Sequence, residues 1–406
     1  MVEKTPSITV YGASWCPDCR RAKKFLGEQL IPYTWVDLGE HPEAQQIVEG
    51  YNDGKQIIPT IVFEDGSILV EPSNADLAAK LGLKTKARCA SYDLIIVGAG
   101  PTGLTAAIYG AREGLDTLVI DRAGVGGQAA ITERVDNYPA FPEGVSGADF
   151  ADRIGRQAAR FGVETLVAQE VVKIERRDNR LAVVSVVTAD DTSYGADAVL
   201  VATGSTYRRL DVPGEDDFIG AGVHFCATCD GPFYKGRDVV VIGGGNSAAE
   251  EAAYLSGIVK GVTVLVRDDR MTAGKTAQDK LPQYPNLTVR CHTEVTGFEG
   301  KDGHITAVRV RDRVSGKEET LPTAAAFVFI GLTPHTEFLR GTVDLDANGF
   351  VRTSQTLMTS LPGVFAAGDC RHGSTKQIAS AVGEGATAAI MIRHYLNMGE
   401  EARGGG

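Results

Sequence analysis

One local pattern is written twice in this chain, and it narrows the possible folds more than any other feature. The apolar run Tyr92-Asp93-Leu94-Ile95-Ile96-Val97 passes straight into Gly98-Ala99-Gly100-Pro101-Thr102-Gly103 and then into an alanine-rich stretch. Asp238-Val239-Val240-Val241-Ile242 does the same, followed by Gly243-Gly244-Gly245-Asn246-Ser247-Ala248. Unbroken Val/Ile/Leu strands of this kind are buried on both faces of a parallel sheet. In a G-x-G-x-x-G turn the first glycine permits the tight bend, and the second lets backbone approach a pyrophosphate. The third packs helix against strand, leaving the phosphates at the helix N-terminus. Such a turn alone also serves plain packing. Here strand, helix and an acid, Asp121 at the end of Thr117-Leu118-Val119-Ile120, stand together, as a dinucleotide site requires. In the second turn Ala248 is the third small residue. Two dinucleotide sites on one chain mean flavin plus nicotinamide, because a hydride must pass between them. Gly363-Val364-Phe365-Ala366-Ala367-Gly368-Asp369, a strand ending in Gly-Asp, fits the flavin side, with a carboxylate placed for a ribityl or pyrophosphate group.

Composition agrees with this reading and closes off others. Glycine supplies 48 of 406 residues, without a collagen-like period, and a nucleotide-cradling fold is the first place to put that excess. The formal charge of −11 argues against a chain built to coat nucleic acid. No apolar run approaches the roughly 18 residues that span a bilayer, and Met1–Val10 has no signal-peptide pattern. The expectation is a cytoplasmic α/β chain of two or three domains, with neither membrane nor nucleic acid as partner.

Four of the seven cysteines fall in two Cys-x-x-Cys pairs, Cys16/Cys19 and Cys226/Cys229. Zinc sites need a second ligand pair roughly 12 to 20 residues on, and neither pair has one. Redox chemistry is the working reading and no metal is expected. Thiols at i and i+3 can close a disulfide in one turn, and a helix N-terminus lowers the pKa of the first. Before residue 84 the pattern reads strand, helix, strand, helix, strand, hairpin, helix. Cys16 sits between the strand Ile8–Tyr11 and the helix Arg20–Leu30, flanked by Trp15 and Pro17, where the helix dipole and Arg20-Arg21-Lys23-Lys24 favour its thiolate. Val171–Val187 alternates like an antiparallel meander. Cys370 reads as packing.

At Cys226-Ala227-Thr228-Cys229-Asp230-Gly231 the chain resembles the low-molecular-weight thioredoxin reductases. The likeness extends over about residues 92–398 through Gly126-Gly127-Gln128, Asn137-Tyr138-Pro139, Ala202-Thr203-Gly204, Gly243 to Glu250, Gly331-Leu332-Thr333-Pro334 and Gly363 to Asp369. Asp312-Arg313-Val314-Ser315-Gly316 and Lys376-Gln377-Ile378 are similar to the flavoprotein subunit of alkyl hydroperoxide reductase. Residues 1–84 resemble a glutaredoxin, of the mycoredoxin-like group.

The resemblance implies a thioredoxin-fold domain (1–84), a linker (85–91), and two Rossmann-like three-layer ββα domains, the second inserted into the first. FAD would occupy 92–210 and 335–398, NAD(P)H would occupy 211–334, and 399–406 would be a disordered tail. It also implies a homodimer whose domains rotate during turnover. Carried over, the FAD residues are Gly98, Gly100, Pro101, Gly103, Asp121, Arg122, Gly127, Gln128, Asn137, Ala202, Thr203, Gly204, Gly368, Asp369, Lys376, Gln377 and Ile378. Those for the nicotinamide nucleotide are Gly243, Gly245, Asn246, Ser247, Ala248, Glu250, Arg267, Arg270 and Gly331. Cys229 would face the flavin, Cys226 would be the exchanging thiol and Asp230 the acid–base residue. Pro59 falls where the glutaredoxin fold carries a cis-proline beside its cysteines.

Two departures matter. The family grips the 2′-phosphate of NADPH with a His-Arg-Arg run and a later arginine. Val266-Arg267-Asp268-Asp269-Arg270-Met271-Thr272 keeps only Arg267 in register, with Arg270 nearby, so NADPH is favoured slightly and NADH stays open. The glycine pair that holds glutathione is replaced by Glu71-Pro72-Ser73-Asn74. The expected route is NAD(P)H to FAD, to Cys226/Cys229, to Cys16/Cys19, and then to a thioredoxin- or glutaredoxin-type protein or a low-molecular-weight disulfide. A reductase of a peroxiredoxin is the alternative, and a redox-sensing flavoprotein without turnover is a further one.

Overall fold

The structure is a computed structural model; it describes residues 8–28, 31–83, 85–130, 132, 134–176 and 183–404. It divides into two compact units, one of residues 1–134, 145–204 and 334–406, the other of 135–144 and 205–333.

The N-terminal part of the first unit has its own four-stranded sheet, in the order Thr34–Asp37, Thr9–Gly12, Thr60–Val62, Ile68–Val70. The first pair is parallel and the other pairings are antiparallel. Helix Pro17–Glu28 turns Ala22, Phe25 and Leu26 inward against Val10, Ile61 and Leu77, which its period of apolar residues dictates. Helix Asn74–Lys80 starts with a reciprocal cap. The Ser73 hydroxyl accepts the Asp76 N–H and the Asp76 carboxylate accepts the Ser73 N–H, an arrangement that stabilises a helix end by about 1 kcal/mol.

The remainder of this unit is a sheet in the order Glu164–Leu166, Thr117–Ile120, Ser91–Val97, Ser193–Val201, Val184–Thr188, Val171–Arg176, with Val364–Ala366 also pairing Ser193–Val201. The strands from Glu164–Leu166 to Ser193–Val201, and Val364–Ala366, run parallel, as their unbroken apolar sequences require. The expected meander is the antiparallel pair Val171–Arg176 and Val184–Thr188. Helix Pro101–Arg112 packs on helix Ile378–Gly404 so closely that a Cβ on Gly385 would stand 2.3 Å from the Thr102 carbonyl oxygen. That last helix corrects the expectation for the tail, because its backbone continues to Gly404. Gly399 weakens an established helix by about 1 kcal/mol, and Glu400-Glu401-Ala402-Arg403 are strong helix formers that carry it on.

The second unit is a five-stranded parallel sheet, Val223–His224, Ala325–Val328, Asp238–Ile242, Gly261–Leu265, Leu287–Arg290. It also holds a three-stranded antiparallel sheet, Thr293–Lys301, His304–Asp312, Glu318–Pro322, which the sequence reading did not delimit. The chain passes into and out of the unit near Ser205 and Thr333, where Ser205–Tyr207 pairs with Leu332–Pro334, rather than at 211 and 334. No described helix is long and apolar enough to cross a membrane.

Candidate active site

The first glycine turn has the shape of a phosphate cradle. Gly98 has φ +112° and a Cβ there would stand 2.3 Å from the Ala202 carbonyl oxygen; one on Gly103 would stand 1.9 Å from the Gly98 carbonyl oxygen. At Gly100, in contrast, no described atom comes within 4 Å of a Cβ. Gly100 is the N-cap of helix Pro101–Arg112 with Pro101 in its first turn, so the helix presents unpaired N–H groups to that open space. Gly127 lies 3.2 Å (as Cβ) from the Gly100 Cα and brings Gln128 with it, while the Gly126 N–H donates to the Ala99 carbonyl at 2.8 Å.

Asp121 does something the sequence reading did not foresee. Its Oδ2 accepts the Ala99 N–H at 2.6 Å and its Oδ1 the Ala123 N–H at 2.8 Å, so the carboxylate fixes the glycine turn itself. Arg122, one residue on, is exposed, its guanidinium 3.2 Å from the His335 ring. Ala202 backs Gly98, and Thr203 and Gly204 (φ +69°) follow. Gly368, with φ +76°, would drive a Cβ to 2.3 Å from the Thr102 hydroxyl, which sets Asp369 against the start of the same helix. Burial pushes the Asp369 carboxyl up and the Lys376 amine down; the amine donates to the Asp369 carbonyl at 2.5 Å. Gln377 and Ile378 open the last helix. Two further residues hold this corner and carried no sequence signal. Glu384 accepts the Gly368 N–H at 2.7 Å and pairs with Arg371 at 2.6 Å. An open helix N-terminus, side-chain-free where backbone closes and empty where it opens, fits a flavin dinucleotide.

The second turn repeats the geometry. Gly243 has φ +143°, with a Cβ position 2.3 Å from the Phe329 carbonyl oxygen, whereas Gly245 caps helix Asn246–Ser256 with no described atom within 4 Å of its Cβ position. Ser247 is exposed and Ala248 buried. Asn246 Oδ1 accepts the Gly274 N–H at 2.6 Å and so ties the following loop to the turn. Glu250 lines a cleft of about 440 Å³ with Asn246, Thr276 and Lys280. Gly331 (φ +112°) lies beside Arg208. Arg267 and Arg270 are exposed. Asp268 is contacted by Arg267 at 3.6 Å and by Arg313 at 3.3 Å, the second being a cation that lies far away in sequence.

Cys226 and Cys229 form a disulfide, with Cα atoms 5.3 Å apart. Cys226 is extended and caps the turn Ala227–Asp230, its sulfur accepting the Cys229 N–H at 3.2 Å. Asn137, expected among the flavin contacts, donates to Cys229 Sγ at 3.8 Å, and Val135–Gly144 belongs to the second unit rather than the flavin domain. Asp230 Oδ2 lies 3.3 Å from His224 Nδ1, and His224 Nε2 lies 2.7 Å from the Tyr234 hydroxyl.

Cys16 and Cys19 are free thiols. Cys16 Sγ accepts the Cys19 N–H at 3.4 Å and donates to the Ile58 carbonyl at 3.9 Å, directly before the cis peptide Ile58-Pro59. Cys19 is fully buried, and that burial pushes its thiol up to about 12, while the neighbouring Trp15 is widely exposed. Arg21 reaches across to the segment that replaces the glutathione glycines, donating to Asn74 Oδ1 at 3.1 Å and the Pro72 carbonyl at 2.9 Å. Cys370 is core: it donates to the Val201 and Ala367 carbonyls, and burial raises it to about 11.

The family model described as pyridine nucleotide-disulphide oxidoreductase matches residues 92–385. The chain belongs to that family. This oxidoreductase also carries a glutaredoxin domain, matched over residues 8–68. It is 40% identical over 307 residues to the thioredoxin reductase of Mycolicibacterium smegmatis, covering 75% of this chain and 96% of that protein. It is 39% identical to a bifunctional thioredoxin reductase/thioredoxin of Mycobacterium leprae, over 75% of this chain and 66% of that one. Among solved structures, thioredoxin reductase from Streptococcus pyogenes superposes with a TM-score of 0.71 at 36% identity, over 76% of this chain and 99% of the other. That from Giardia duodenalis gives 0.72 at 32%, over 76% and 100%. The oxidoreductase is thus thioredoxin reductase-like, with FAD and a pyridine nucleotide as the cofactors its family implies.

Proposed function

We propose that this oxidoreductase is a self-contained relay, in which electrons from a pyridine nucleotide reach Cys226–Cys229, move to the Cys16/Cys19 pair and leave to an external disulfide. A bound flavin supplies the conversion of a hydride into two electrons for a disulfide. The chain's own residues do the rest. Reduction breaks the Cys226–Cys229 bond and leaves two thiols. Cys226, as thiolate, attacks the oxidised N-terminal pair; Cys229 then displaces it from the mixed disulfide, so two electrons and two protons change sides. Asp230 gives and takes the proton beside that pair, and Asn137 orients Cys229. Pro59 shapes the backbone against which an external chain would lie.

The observation that carries the reading is the division of labour at Cys16 and Cys19. Cys16, 6% exposed, touches the Ile58 carbonyl before the cis-proline, whereas Cys19, at 0%, is fully enclosed, as a resolving partner is. The replaced glycine pair, bonded to Arg21, favours protein or other low-molecular-weight disulfides over glutathione. Arg267 and Arg313 beside Asp268, with Arg270 exposed nearby in sequence, favour NADPH slightly. We further propose a cytoplasmic homodimer. Rapid mixing with NADPH or NADH, against thioredoxin-type proteins and small disulfides, tests the relay. The Cys16→Ser chain should lose acceptor turnover while Cys226–Cys229 is still reduced; unchanged turnover with every acceptor would overturn it.

A further inference from the structure

His224 has a place that the relay does not explain. It ends the strand Val223–His224, in register with Phe327, two residues before Cys226, and its side chain is only 6% exposed. A buried imidazole needs partners for both nitrogens. Both partners here come from the short segment that carries the disulfide: Asp230 Oδ2 at 3.3 Å from Nδ1 and the Tyr234 hydroxyl at 2.7 Å from Nε2. The ring also packs against Tyr234, centroid to centroid 5.3 Å, and Phe327, at 5.4 Å, two rings that themselves meet edge-on at 6.0 Å.

The tautomer follows from charge. An ionised Asp230 favours the ring proton on Nδ1, which leaves Nε2 to accept from the tyrosine O–H. Burial, then the Asp230 charge, pushes the Tyr234 phenol up, which keeps it a donor. Among the described residues the other charged group facing this line is Arg237, whose guanidinium lies 5.8 Å from the Tyr234 ring; Phe327 brings no charge.

We propose that His224 is the positioning residue of Asp230 and, with Tyr234, the line along which that carboxylate is re-supplied with protons. The inference rests on the acid–base role of Asp230 proposed above. When the S–S bond opens, the electrons remain on sulfur and one thiolate takes a proton through Asp230, which starts and ends ionised. The His224 Nδ1–H passes to Asp230, the Tyr234 O–H passes to Nε2, and solvent returns a proton to the half-buried phenol. One proton enters from water for each thiolate quenched, and no electron passes through the ring. Removing a thiol proton runs the line in reverse and restores the Nδ1–H tautomer.

The test uses the flavin-loaded full chain. Single-turnover reaction of the pre-reduced enzyme with 5,5′-dithiobis(2-nitrobenzoate) is followed against pH, in parallel with iodoacetamide labelling of Cys226 in dithiothreitol-reduced protein. His224→Phe keeps the ring packing but removes both polar ends. It should slow exchange about tenfold at unchanged half-saturation, and raise the acid limb of both profiles by about one pH unit, because Asp230 loses its donor. His224→Asn, whose amide falls near the Nδ1 position, should restore the limb but not the full rate. Tyr234→Phe, the mildest change, should slow exchange roughly threefold in water and lose part of the solvent isotope effect. Wild-type profiles in folded, flavin-loaded His224→Phe overturn the inference, as does a wild-type rate and isotope effect in Tyr234→Phe. If Asp230→Asn matches the wild type, the acid–base role itself has failed, and the inference with it.

Discussion

The Arg313 guanidinium lies 3.3 Å from the Asp268 carboxylate, although the two residues come from different strands' ends. Arg267 approaches the same carboxylate at 3.6 Å. One acid thus engages two cations, Arg267 among those proposed above for the nicotinamide nucleotide. Asp268→Ala should release both and move the ratio of NADP⁺ to NAD⁺ affinity upward by on the order of threefold to tenfold, and Arg313→Ala should move it downward. Calorimetric titration at low and moderate salt checks this, since the shift should shrink as ionic strength rises.

Gly100 and Gly103 make a contrasting pair. A Cβ at Gly103 meets a carbonyl oxygen at 1.9 Å, so Gly103→Ala should destabilise the first unit by about 3 kcal/mol. Gly100→Ala meets no described atom, so the apoprotein should melt within a few degrees of the wild type, yet lose flavin more readily. Melting curves of apo and loaded protein, with flavin counted by absorbance, separate the two effects.

Burial holds Cys19 up at about 12, against an ordinary value of about 9. Its thiol should therefore stay protonated at pH 8.5, and iodoacetamide should label Cys16 while sparing Cys19. The sign for stability follows from which state binds the proton. Between about 9 and about 12 the folded chain keeps a proton that the unfolded chain gives up, so this site's contribution is flat below pH 9 and falls as pH rises above it. Both tryptophans, Trp15 and Trp35, lie in this domain, so urea curves followed by their fluorescence at pH 8, 9.5 and 10.5 report on it.

Glu384 bonds both Arg371 and the Gly368 N–H, and its side chain is 16% exposed. Glu384→Ala leaves a largely buried guanidinium and an amide without that acceptor. The expected loss is about 2 kcal/mol, read as a lower melting temperature together with weaker flavin retention. Glu384→Gln should recover the amide contact and only part of the stability.

What could be read beforehand follows a physical division. Short-range constraints are written locally: Gly98 and Gly243 announce turns that no side chain survives, and Tyr92–Val97 announces a doubly buried strand. The inward face Ala22, Phe25, Leu26 belongs to the same class, while the cis-proline at Pro59 is legible only through the likeness to the glutaredoxin fold. Partners brought together by the fold left no such trace. Glu384 under Gly368, Arg313 over Asp268 and Asn137 at Cys229 are far apart along the chain and chemically ordinary. Asp121 is legible as an acid at a strand end, but nothing local says that it binds its own turn's backbone. His224 is invisible in the sequence because a single histidine before a cysteine pair carries no spacing signal. The helical tail beyond Gly399 is the opposite case, where one glycine does not stop the helix behind it.

In each Cys-x-x-Cys pair the backbone N–H of the second cysteine points at the sulfur of the first, at 3.4 Å in the open Cys16/Cys19 dithiol and at 3.2 Å in the closed Cys226–Cys229 disulfide. An amide thus meets the first sulfur both where the pair is an open dithiol and where it is a closed disulfide. A dipole already aimed at the charge does not have to turn when the charge arrives. The amide at either pair then needs no reorientation to meet a thiolate on the first sulfur.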